Sequence, residues 1–97
     1  MFGLGALLIA LAGGDAGAAT LPACVSVSTE ARYIPFGYNH VVVLRNGCSK
    51  AAMCSVATDI APQPQMVDVP ASSTVEVLTF MSSPSQAFTA RVRCSLR

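Results

Sequence analysis

Residues 86–96 read QAFTARVRCSL. In extended chain Phe88, Ala90, Val92, Cys94 and Leu96 fall on one face, and Thr89, Arg91, Arg93 and Ser95 on the other. Alternation of period two marks a strand with one face on a core and the other in water. The arginines make the outer face charged, which also discourages unwanted pairing at a sheet edge.

The pattern repeats toward the N-terminus. Segment 74–80, TVEVLTF, sets Val75, Val77 and Thr79 against Glu76, Leu78 and Phe80, and a loop MSSPS (81–85) separates it from the last strand. Segment 66–69, MVDV, is a short strand stopped by Pro70, with Ala71-Ser72-Ser73 as the turn. APQPQ (61–65) reads as a polyproline-type crossover, since proline cannot donate to a central ladder. Segment 52–60, AMCSVATDI, places Cys54, Val56, Thr58 and Ile60 on one face.

Segment 39–46, NHVVVLRN, is apolar on both faces from Val41 to Leu44, as a central strand requires, and Asn46-Gly47 is a turn dipeptide suited to positive φ. Segment 33–38, YIPFGY, is interrupted by Pro35 and Gly37 and reads as an ordered connection over one end of the core. Segment 23–32, ACVSVSTEAR, alternates again. The sum is an all-β chain, a small two-sheet antiparallel β-sandwich of about six to seven strands with no amphipathic helix.

Composition narrows the function. A chain of 97 residues favours one domain, and 53% hydrophobic with 11% charged residues excludes a disordered chain. A net charge of +1 speaks against a nucleic-acid binder that works by phosphate neutralisation. Leu4 to Ala12, LGALLIALA, is too short to span a bilayer but suits the apolar region of a secretory signal. Ala16-Gly17-Ala18 fits the small-residue cleavage rule, so residues 1–18 are expected to be a cleaved signal peptide and 19–97 a single exported domain, periplasmic or extracellular, without a transmembrane segment. Leu21-Pro22-Ala23-Cys24 competes as a lipobox that would anchor Cys24 to lipid, although Asp15 and several small residues separate it from the apolar run.

A domain of about 80 residues buries too little surface to be secure without staples. Cys24, Cys48, Cys54 and Cys94 all lie beyond the leader and read as two disulfides. The favoured pairing is Cys48–Cys54, closing a short connection, with Cys24–Cys94, tying the first strand to the last. On loop entropy these contribute at most about 2 and 4 kcal/mol. The Cys48–Cys54 spacing, with no following His, does not fit zinc.

The stretches HVVVLRNGCSKAAMCSVATD (40–59) and VDVPASSTVEVLTF (67–80) resemble the core of bacterial exported immunoglobulin-like or fibronectin-III-like domains. The shared features are a strand ending in Asn-Gly, a strand returning after it, and V-x-V-P-A-x-x-x-V. The chain is also similar to small secreted two-disulfide bacterial proteins of unassigned activity. The resemblance implies architecture and not activity.

Catalysis finds few candidates. His40 is the only imidazole, expected at a strand entrance, and no G-x-S-x-G elbow occurs. A blue-copper set needs two His with Cys and Met; here Cys94 and Met53, Met66 and Met81 have one His between them. No cofactor is expected. Two surfaces remain. Arg91, Arg93 and Arg97 line the outward face of the last strand, either as a solvated face or as a site for an anionic partner. Tyr33, Phe36 and Tyr38 form either a lid on the core or an aromatic contact surface. The expectation is an exported, non-catalytic module that binds or scaffolds an unknown protein or envelope component. The alternative is a small secreted inhibitor or effector acting through a rigid loop.

Overall fold

The alternating segments form six strands in a computed structural model that describes residues 20–97. They are β1 (Val25–Ile34), β2 (Gly37–Asn46), β3 (Ala52–Thr58), β4 (Gln65–Val69), β5 (Ser73–Ser83) and β6 (Ala90–Leu96). The expected signal peptide, residues 1–18, lies outside the described residues. Two three-stranded antiparallel sheets result, ordered β1-β2-β5 and β4-β3-β6. This is the expected small antiparallel β-sandwich. Among the described residues no helix is long and apolar enough to cross a membrane.

The core lies between the sheets. Val25, Val42, Leu44 and Val77 come from the first; Cys54, Val56, Val69 and Val92 come from the second. The central position expected for 39–46 has a specific cause. Val41 and Val43 point away from this core yet are 4% and 2% exposed. Their ladder partners include Glu30, Ser28, Leu78 and Glu76, whose side chains share that face. Arg32 then joins Glu30 to Glu76 across β2, donating from Nε at 2.8 Å and from its two terminal nitrogens at 3.1 and 2.8 Å. Ions and aliphatic stems thus roof the two valines.

The disulfide pairing differs from the expected one. Cys24 is bonded to Cys48 and Cys54 to Cys94, with Cα separations of 5.2 and 4.0 Å. Cys48–Cys54 is excluded because β3 begins at Ala52 and carries Cys54 into the ladder, directly opposite Cys94. Cys24–Cys94 is excluded because Cys24 precedes β1 beside the end of β2, where Gly47 N–H donates to Cys24 O at 2.8 Å. Each bridge therefore staples one sheet.

Strand ends also shift. YIPFGY is not a connection over the core: Tyr33 and Ile34 end β1, Pro35-Phe36 make the turn, and Gly37 starts β2. β5 runs on through Met81 to Ser83, with register shifts beside His40. β6 starts only at Ala90, because Thr89 N–H is held by Asp59 Oδ1 at 2.8 Å and Phe88 turns to stack on His40. Asp59 and Ile60 leave β3 for its turn.

Asn46-Gly47 works differently from a positive-φ turn, since among the described glycines positive φ falls on Gly37. Asn46 ends β2 with its side chain buried. Its Oδ1 accepts from Cys48 N–H at 2.8 Å, and its Nδ2 donates to Lys50 O at 2.9 Å, Val69 O at 3.1 Å and Pro70 O at 3.2 Å. One amide thereby clamps the β2–β3 and β4–β5 connections, both of which pass from one sheet to the other.

Candidate functional site

The β1–β2 hairpin carries its aromatics outward. Tyr33 is 73% and Phe36 87% exposed, so neither forms a lid on the core. Tyr38 is half-buried and packs edge-on against Tyr33, ring centres 5.7 Å apart. Pro35 fixes its own φ and cannot take the positive φ that two-residue hairpin turns usually place there. The unusual backbone falls instead on Gly37, at φ +149°. Its Cα lies so close to β5 that an added Cβ would sit 2.6 Å from Ser83 O. Asn39 Oδ1 also accepts from Ser82 N–H at 3.1 Å. The tip is thus tied to the end of β5, where Met81 is 65% exposed.

The arginines lie on the other sheet. Arg91 and Arg93 stand opposite Ala57 and Ser55 on the outer face, and Pro62 and Pro64 close a cleft of about 270 Å³ over them. Among the described residues neither arginine has a carboxylate within ion-pair distance. Arg97 lies just past β6 and reaches Asp68 Oδ1 at 3.1 Å, so its charge is engaged apart from the other two. The six candidate contact residues therefore divide between two surfaces, one on each sheet.

His40 sits inside β2, fully buried, and not at a strand entrance. Its ring lies flat on Phe88, 4.1 Å between centres and 9° from parallel. Nε2 donates to Ser85 O at 2.7 Å, and Nδ1 is buried without a hydrogen-bond partner among the described residues. Cys94, the sulfur of the copper reading, is in a disulfide.

Sequence reasoning missed two features. Met81 lies in β5 and not in a loop at 81–85, and the apolar run TVEVLTFM is the signal of the longer strand. The groove between β1 and β6, lined by Leu21, Val27, Phe88, Ala90 and Val92 among others, depends on which strands become edges, and no local pattern carries that. No known family, no curated protein and no solved structure matches the chain.

Proposed function

We propose that this chain is an exported, non-catalytic, immunoglobulin-like β-sandwich module that binds or scaffolds at the bacterial cell envelope or outside the cell. The observation carrying it is the β1–β2 tip, where Tyr33 and Phe36 are presented to solvent on a backbone held against β5. Rigid aromatics offer large contact area at small entropic cost. Two disulfides in so small a domain fit an oxidising compartment. The burial of His40 among aromatic rings supports a structural task for the single imidazole.

The same tip favours a second reading, a small secreted inhibitor or effector that presents this turn to a protein target. The experiment is capture by the tagged full chain and by a Tyr33→Ser/Phe36→Ser variant, from envelope and from secreted-protein fractions. Retention of an envelope component that falls more than about tenfold in the variant supports the first reading. A secreted enzyme retained and inhibited in the same tip-dependent way supports the second. Retention indifferent to the variant, or none, overturns both.

A further inference from the structure

β6 is an edge strand with one residue of a seventh strand already beside it. Thr20 pairs in parallel with Arg93: Thr20 N–H donates to Val92 O at 3.2 Å and Cys94 N–H to Thr20 O at 2.9 Å. The short Cα separation of Cys54 and Cys94, 4.0 Å, marks a non-hydrogen-bonded pair of the β3–β6 ladder. By alternation Ala90 and Val92 also aim their N–H and C=O groups away from β3. Thr20 uses Val92 O; among the described residues Val92 N–H and both groups of Ala90 have no hydrogen-bond partner.

Beneath these groups runs an apolar groove of about 390 Å³ between β6 and β1, floored by Val27, Phe88, Ala90 and Val92. Arg91 stands beside it on the outer face with no ion partner among the described residues. A strand laid along this edge has side chains that alternate between groove and outer face. Those beside Ala90 and Val92 must be apolar, and the one beside Arg91 is best satisfied by a carboxylate.

We propose that the β6 edge takes up an extended partner segment of alternating apolar and acidic residues, in line with Thr20, as a seventh strand. Main-chain bonds to Ala90 and Val92 supply affinity, and the groove and Arg91 supply selectivity. The chain's own residues before Thr20, GGDAGAA (13–19), carry side chains too small to fill this groove. The surface is separate from the β1–β2 tip, so the two proposals stand or fall independently.

The test uses the full chain and a blocked peptide of about eight residues alternating Val and Glu, with amide exchange read residue by residue. The peptide should slow exchange at Val92 and Ala90 more than about tenfold and leave the tip unchanged. Arg91→Glu, an exposed change, should weaken that peptide about tenfold and shift preference to the Val/Lys counterpart. Unchanged exchange at saturating peptide, or a preference indifferent to Arg91→Glu, overturns the proposal. So does protection of Val92 N–H without peptide, whether from residues 1–19 or from a second copy.

Discussion

Cys54 and Cys94 face each other across the β3–β6 ladder with Cα atoms 4.0 Å apart, so this bridge locks one sheet and adds no covalent tie to the other. Cys24–Cys48 does the same for β1 and β2. With sequence separations of 40 and 24, loop entropy gives at most about 4 and 3.5 kcal/mol. Each paired-Ala variant should therefore lose about 2–4 kcal/mol, the two within about 1 kcal/mol of each other. Thermal melts measure this, with a non-reducing peptide map. A Cys24–Cys94 peptide in the map would refute the arrangement.

Glu76 should respond to acid. The hydrogen bonds from Arg32, and then its charge, hold the Glu76 carboxyl below the ordinary carboxylate range. A lowered value means the folded state favours the ionised form. Its stabilisation is present above the unfolded carboxylate pKa and is lost as pH falls through the folded one. An NMR titration of the Glu76 carboxyl should show a midpoint below that of an ordinary glutamate, moving back toward it in Arg32→Ala while the charge of Arg45 still acts. Added salt should narrow the difference, since both partners are half-exposed. A midpoint that ignores Arg32 counts against the ionic roof over Val41 and Val43.

Gly37→Ala tests the anchoring of the hairpin tip. The new Cβ meets Ser83 O and Ser82 C at 2.6 and 2.9 Å, both backbone atoms, at a φ side chains rarely adopt. Stability should fall by about 1–3 kcal/mol, with Tyr33 and Phe36 losing their fixed position. Denaturant melts and relaxation at the tip check this. A neutral substitution would mean that the tip is not held by β5.

His40→Ala removes a buried ring, its stack on Phe88 and its bond to Ser85 O. The cost should be about 2–4 kcal/mol, while binding by the folded fraction changes less than tenfold. A variant that stays fully stable and loses activity by a larger factor would restore a catalytic or ligating task for this imidazole.

Processing can be read by intact mass. The proposed cleavage after Ala18 should give a chain whose mass begins at Ala19, with Cys24 in its disulfide. A diacylglyceryl group on Cys24 would establish the lipid-anchored form and remove the Cys24–Cys48 bridge.

Strand number, strand type and the buried faces were legible because period two marks the strands from Val25 and Val27 to Val92 and Cys94, and an unbroken apolar run marks the central Val41–Leu44. The ends of strands were not, because distant groups decide them. Phe88 alternates perfectly with Ala90 yet leaves the strand to stack on His40, forty-eight positions away in sequence. Ser82 and Ser83 look like loop by composition yet stay in β5, where Asn39 holds Ser82 N–H. The cysteine pairing failed for a related reason: terminal strands were expected to lie together, whereas Cys94 faces β3. Of the candidate site, the aromatic and basic residues could be picked out by type, but their separation onto two sheets belongs to topology alone.

The clamp made by Asn46 bears on how the domain tolerates change in length. The chain passes between sheets at 47–51, at 70–72 and at 84–89. The first two are held by the same amide, so an inserted residue in either displaces the carbonyls or the N–H that the other needs. The third has no such link to them. Length variation among descendants of this fold should therefore avoid 47–51 and 70–72, and within 84–89 it should spare Ser85, Phe88 and Thr89, which His40 and Asp59 hold.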